Sequence, residues 1–442
     1  MKKRFNKNGL ILVAVLWIVV LLTLIVTSVT STSRLNLKLS LGSVSTVRCK
    51  WAARAGTETA EAILNEDLKN SDTLLDIWSD NPEEFNDVPL GDCRFTVRIF
   101  DEAAKLNINT ATKEQLLSLP NMTEQIADAI IDWRDSDDSQ SPNGAETGFY
   151  ENLPFRYRIR NGVFRTVREL LMVKDVTEQL LYGEDTNLNG WLDSNEKDGD
   201  KSPPNDNGDN ILDKGWIEYL TCYSYETNVD ADGNQRININ QANEQQLTQS
   251  LGLTQPQARA IVNNRRNNQY SSIVDLIDPN NARQSTGGTS GRSSGTSGSA
   301  ASEPMDIATF TSIADKITVD SQQQAIGKVN INTAPEIVLA ALLGGNDRAY
   351  QIADNIVNYR ISLPDGMTGI ADILNVSLMD TATFRSIEGS VTVRSNVYMI
   401  RSSASFVSAA ASGGETVLQT EVVVDRNSWP VQILSWYEGE TN

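Results

Sequence analysis

The chain contains no histidine. That absence excludes Ser-His-Asp and Cys-His catalytic groups, and every zinc site that needs an imidazole. Cysteine is scarce as well: Cys49, Cys93 and Cys222 are widely separated, odd in number and without a CxxC pair, so neither a disulfide framework nor a metal knuckle is written here. A Cys93–Cys222 pair outside the cytoplasm and three inert thiols both remain open. Positive charge is short, with 38 Lys and Arg against 57 Asp and Glu and a formal net charge of −19. Duplex nucleic acid is a poor partner for such a chain, because phosphate binding needs clustered Lys and Arg. No residue group supports an enzyme.

Proline is absent before Pro82, and the stretch it leaves uninterrupted opens the chain. Lys2, Lys3, Arg4 and Lys7 crowd the start, Gly9 ends the polar part, and Leu10 to Val29 runs without a charge. As a helix that run spans roughly 30 Å, the thickness of a bilayer's hydrocarbon core. Three readings compete: a cleaved secretory signal, a signal anchor, and a pilin-type leader cut after the glycine so that the helix stays on the mature protein. The last two put the basic end in the cytoplasm and the rest outside it. Leu37, Leu41, Val44, Val47, Trp51, Ala55 and Ala62 continue at three- and four-residue steps, which predicts one helix from about Leu10 to Leu68, with Gly42 and Gly56 as points of weakness.

Arg94 to Phe100 alternates as a strand, and beyond it the chain repeats itself. INTATKEQLLSLPNMTEQIADAIIDWR (from Ile108) is echoed by INQANEQQLTQSLGLTQPQARAIVNNR (from Ile239) and INTAPEIVLAALLGGNDRAYQIADNIVNYR (from Ile331). Asn109 to Arg134 and Asn240 to Arg265 are both 25 positions apart, and Asn332 to Arg360 is 28. Each copy predicts a helix capped by its Asn, a tight turn and a second helix packed back over the first. The copies resemble the helix-hairpin-helix module of exported competence-type DNA-binding proteins and of the general secretion pathway K family. Their turns, LPNMT, LGLTQ and LGGND, lack the Gly-apolar-Gly arrangement whose amides meet phosphate, so the units are read as packing units. Their expected extents are 107–174, 237–278 and 329–375.

Between the first two copies lies a strongly acidic segment. DTNLNGWLDSNE matches D-x-[DN]-x-[DN]-G-x5-E at every specified place. Asp185, Asn187, Asn189, Asp193 and Glu196 would offer side-chain oxygens and Trp191 its carbonyl to Ca2+, while Gly190 makes the sharp turn. The alternative is a solvated Asp/Asn/Gly turn. Asp206, Asp209 and Asp213 form a second cluster whose spacing does not commit it. Residues 280–303 are rich in Gly, Ser and Thr, a flexible insert by composition. Beyond Thr383, SVTVRS, VYMIRSSASFV, ETVLQTEVVVDR and VQILSWYE alternate as strands.

The expected fold class is therefore α+β: a pilin-like long N-terminal helix plus an antiparallel sheet, interrupted by a large inserted helical domain. The divisions are 1–9, 10–29, 30–105, 106–379 (insert) and 380–442. That order, with the basic leader ending at Gly9, DEAAKLNINTA, the stretch from Trp133 to Thr177 and the closing VQILSWYE, resembles the general secretion pathway protein K family, the large minor pseudopilin of type II secretion. The resemblance implies cleavage after Gly9 by prepilin peptidase and methylation of Leu10. It also implies an inner-membrane, single-pass protein with its bulk in the periplasm, at the tip of the pseudopilus with minor pseudopilins I and J and the major pseudopilin. It further implies calcium in the insert, which adds Asp135, Asp137 and Glu146 as second-rank ligands. Most pilins carry a glutamate at the fifth mature position; here that position is Ala14. A buried carboxylate in an apolar filament is costly without a cation from the subunit above, so its absence suits a subunit with nothing above it. The alternatives are a membrane-anchored DNA receptor, a calcium-dependent surface adhesin, and a minor pilin of a type IV pilus.

Overall fold

The computed structural model describes residues 7–67, 70–79, 81–188, 190, 192–199, 201, 203–278, 304–406 and 417–441. One helix, α1, runs from Lys7 to Glu66. Its first half exposes an unbroken apolar surface over residues 11–26, apolar and long enough to cross a membrane by length and composition. Its second half lies on a five-stranded sheet: β1 (Val88–Leu90), β2 (Cys93–Asp101), β3 (Val397–Phe406), β4 (Val417–Asp425) and β5 (Gln432–Thr441). The strands are hydrogen-bonded in chain order and every pairing is antiparallel.

Small residues let α1 approach that sheet. Cys49, Ala52, Ala53, Ala60 and Leu64 are buried together with Phe95, Val97, Tyr398, Ile400 and Val422. A Cβ at Gly56 would come within 3 Å of Val97, Phe95 and Ser402 side-chain atoms, so this glycine serves close packing.

β2 and β3 are neighbours, yet residues 102–396 lie between them in sequence; Asp101 faces Tyr398 and Cys93 faces Phe406. The excursion leaves and returns at one point on the sheet. It is built of three units that share one hydrogen-bond scheme. Each opens on a two-residue strand (Leu106–Asn107, Ile237–Asn238, Val329–Asn330) paired in parallel with a return strand at the unit's end (Leu220–Thr221, Ile317–Thr318, Val391–Thr392). The first Asn accepts from the amide N–H two residues on, in Asn109, Asn240 and Asn332.

This second Asn clasps one residue of a distant loop through both its backbone groups. Asn109 Nδ2 donates to the Phe164 carbonyl at 3.0 Å while the Phe164 N–H donates to Asn109 Oδ1 at 2.7 Å. Asn240 holds Tyr270, and Asn332 holds Met367, in the same way. An arginine in the last turn of the second helix reaches back to the carbonyl between the two asparagines: Arg134 to Ile108, Arg265 to Ile239, Arg360 to Ile331. Asn-Ile-Asn and a distant Arg therefore recur because they close one knot three times.

Two expectations are corrected here. The repeated asparagines do not cap the first helices; the caps are Thr112, Asn243 and Pro335, because those helices begin three residues further on. SVTVRS does not join the terminal sheet. Val391 and Thr392 pair instead with Val329 and Asn330, since this stretch is the third copy of a return signal, [LIV]-T-x-x-S, also present as LTCYS and ITVDS. In each copy the Thr hydroxyl accepts from the N–H two residues on, and the Ser hydroxyl accepts from the first Asn's amide. Cys93 and Cys222 do not pair either: none of the three cysteines forms a disulfide, and Cys93 lies under α1 while Cys222 packs against the core of the insert.

Candidate functional site

One group of convergent acidic side chains sits in the first unit. The helix Glu124–Arg134, capped by Thr123, places Asp128 and Asp132 one turn apart on one buried side and ends at Asp135. The loop beyond it returns through Gly144 to Glu146. Asp132, Asp135 and Glu146 each present a carboxylate oxygen within 4.8 Å of the others. A Cβ at Gly144 would run into the Asp132 carboxylate, so the residue preceding Ala145 must be small.

Electrostatics do not favour this trio alone. Carboxylates at a helix C-terminus face the negative end of its dipole. Asp132 has some compensation, accepting from the Ser141 N–H at 3.1 Å, and Asp128 pairs with Lys113 at 2.6 Å. Glu146 has none: it is 6% exposed and neither of its oxygens has a hydrogen-bond partner among the described residues. Burial, with Asp132, Asp135 and Asp138 beside it, pushes its carboxyl up to about 7. Burial likewise raises Asp135, with Asp137 and Asp132 adding to it. Three convergent carboxylates with one side chain unpartnered fit a hard divalent cation. Of the second-rank residues, Asp135 and Glu146 belong to this group. Asp137 does not; it is exposed and accepts from the Ser139 N–H. Asp132 was missed by sequence reading, although its place three residues before Asp135 on a helix end was a usable signal.

The acidic segment follows the short helix Glu178–Tyr182. Asp185 and Glu196 are buried; Asp185 Oδ2 accepts from the Gly190 N–H, Asn187 Nδ2 donates to Asp193 Oδ2, and Glu196 Oε2 accepts from the Asp193 N–H. Glu196 Oε1 is buried with no hydrogen-bond partner among the described residues, and burial with Asp185 and Asp193 nearby raises this carboxyl. Gly190 adopts φ +71°, the turn the motif requires. Asn189 and Trp191 lie outside the described residues. The described carboxylates here form no group as close as that around Glu146. Asp206 accepts from the Gly199 and Gly208 N–H groups, Asp209 from Ile211, and Asp213 from the Asn207 amide, so these three serve turns.

This segment rests against the sheet. Buried Arg401 on β3 donates to the Leu188 carbonyl at 3.0 Å, and Arg98 on β2 lies under Gly190. At the far N-terminal end, Gly9 and Leu10 are within α1, and Ala14 is exposed along its apolar part.

The family model for type II secretion system protein K, first domain, matches residues 97–182, which take in the second half of β2 and the Glu146 group. Protein K of the type II secretion system of Pseudomonas aeruginosa is 28% identical over 197 residues, 39% of this chain and 58% of that protein. The chain thus spans less than two thirds of that relative. An endonuclease/exonuclease/phosphatase family domain-containing protein 1 from Bos taurus is 27% identical over 186 residues, 42% of this chain but 27% of that protein. Among solved structures, the GspK-GspI-GspJ complex from the type 2 secretion system of enterotoxigenic Escherichia coli aligns with a TM-score of 0.47 and 13% identity, covering 91% of this chain and 99% of that chain. The resemblance to protein K read from the sequence is borne out by the family domain and the bacterial relative.

Proposed function

We infer that this chain, a GspK-like minor pseudopilin by its family domain, initiates or caps a type II secretion pseudopilus together with minor pseudopilins I and J, and is not an enzyme. The observation that carries the reading is topological. The insert leaves and rejoins the sheet between adjacent strands, so α1 and the five strands stay intact as a pilin-like body while the added mass projects from one place. A subunit of that shape obstructs regular lateral packing but can occupy an end, and Ala14 in place of a carboxylate suits an end with no subunit above it. In this reading α1 anchors the chain in the inner membrane, prepilin peptidase cuts after Gly9, and the bulk is periplasmic. Co-expression of the full chain with I, J and the major pseudopilin tests it: a stable complex with I and J in detergent is expected, and failure to associate with either contradicts it.

We further propose that Asp132, Asp135 and Glu146 hold a calcium ion, with Asp185, Asn187, Asp193 and Glu196 as a second calcium loop. The unpartnered Glu146 carboxylate supports the first site, and the motif register supports the second. The ion would neutralise clustered carboxylates and fix the loops that carry them. Calcium added to the chelated protein is expected to raise its melting temperature; no change would remove both sites.

A further inference from the structure

In a chain of net charge −19, five arginines fall within thirteen residues, Arg156 to Arg168, with no lysine among them. The segment has no regular secondary structure up to Thr166, and it is anchored from beneath. Ile159 is buried, and Tyr157 donates its hydroxyl to the Met172 carbonyl. Arg160 pairs with Glu169 and Arg168 with Glu421. The others are free: Arg156, Arg158 and Arg165 are exposed and their guanidinium groups have no hydrogen-bond or ion-pair partner among the described residues. Beside them Phe155 is 89% exposed and Val163 63% exposed. Arginine and aromatic residues on a rigid support are the composition of protein interface hot spots, whereas a merely solubilising face uses lysine and needs no bare phenylalanine.

The segment's anchor also argues for a protein. Arg168 stacks over Tyr437 of β5 at 4.7 Å, and β5 meets α1 through Glu438–Lys50 and Trp436–Arg54. Lys50 lies some thirty ångströms along the helix beyond Val29, at about 1.5 Å per residue. That is several Debye lengths from lipid headgroups at the end of the apolar run.

We infer that Phe155, Arg156, Arg158 and Arg165 form a docking surface for a carboxylate-bearing face of a neighbouring minor pseudopilin. This rests on the reading of the chain as a minor pseudopilin. The full chain in detergent is titrated with purified I and J, as wild type, as Arg156→Glu/Arg158→Glu and as Phe155→Ala. The wild type is expected to bind more weakly as salt rises, the double charge reversal to bind about tenfold more weakly or worse, and Phe155→Ala to weaken binding at every salt concentration. An unchanged melting temperature establishes that the variants are folded. Equal binding by wild type and variants overturns the inference while leaving the pseudopilin reading standing; no binding by wild type overturns both. Binding of the wild type, but not the charge reversal, to phosphatidylglycerol vesicles with equal affinity for I and J would assign the surface to lipid and likewise overturn it.

Discussion

Arg98 and Arg401 face each other as register partners on β2 and β3. Like charges directly opposite in a sheet repel, so this pair needs counter-charge nearby. The insert supplies Glu218, 3.6 Å from Arg401, and the Leu188 carbonyl to which Arg401 donates; within the sheet, Glu421 of β4 lies 3.5 Å away and the guanidinium sits over the Phe100 ring. Arg401→Ala is expected to cost about 1–3 kcal/mol, because half-buried Glu218 loses its cation while Glu421 keeps Arg168. Arg98→Ala, which relieves the repulsion, should cost distinctly less. Chemical denaturation of the two variants measures the difference.

The asparagine clasps give a graded expectation. Asn332→Ala removes two hydrogen bonds to Met367 at a fully buried position and should cost about 1–3 kcal/mol. Asn109→Ala and Asn240→Ala remove the same bonds at half-buried positions and should cost less. Equal, negligible losses at all three would show that the clasps do not hold the units.

The clasps also mark what the sequence made legible. Ile-Asn and the distant Arg, though not the first Asn of each copy, were visible as a repeat, and so were the hairpins. Their role was not, because a side chain that holds a loop 30 or more residues away looks locally like a helix cap. The return signal [LIV]-T-x-x-S was hidden for a related reason: VTVRS alternates as a sheet strand does, and only its pairing with Val329–Asn330 sets it apart. β2 was readable because its burial alternates, and α1 because its apolar residues run uninterrupted by proline and then recur at helical steps. Asp132 stands at helical spacing from Asp135, but its convergence with Glu146 depends on the loop turn through Gly144.

Glu146 should give the chelated protein a characteristic pH response. Its folded value of about 7 lies above the ordinary carboxylate range, so the folded state retains a proton that the unfolded chain has released. Stability from this group is present below about pH 4.5 and is lost as pH rises through about 7. With calcium bound to the ionised carboxylate that loss should disappear. Glu146→Gln is expected to flatten the response in chelator and to reduce stabilisation by calcium. Melting temperatures from pH 5 to 8, with and without calcium, check this; Asp185→Ala/Glu196→Ala should remove whatever calcium response Glu146→Gln leaves.

Acid should act on a different group. Buried Glu226 lies within 2.8 Å of Arg236, 3.1 Å of Lys328 and 3.4 Å of Arg394, tying the second unit to the third. Although burial alone would raise it, these cations hold its carboxyl far below the usual range. Because the folded value is depressed, its stabilisation is present above about pH 4.5 and is lost as pH falls below that. Glu226→Gln should destabilise the protein at neutral pH by about 3–5 kcal/mol, with the difference from wild type shrinking in acid.

The amino terminus of the protein isolated from its native membrane tests the central claim most directly. A pseudopilin processed by prepilin peptidase begins at Leu10 with a methylated amino group, and mass spectrometry of the first peptide is expected to find it. A mature protein that begins at Met1, or at any residue other than Leu10, would contradict the account.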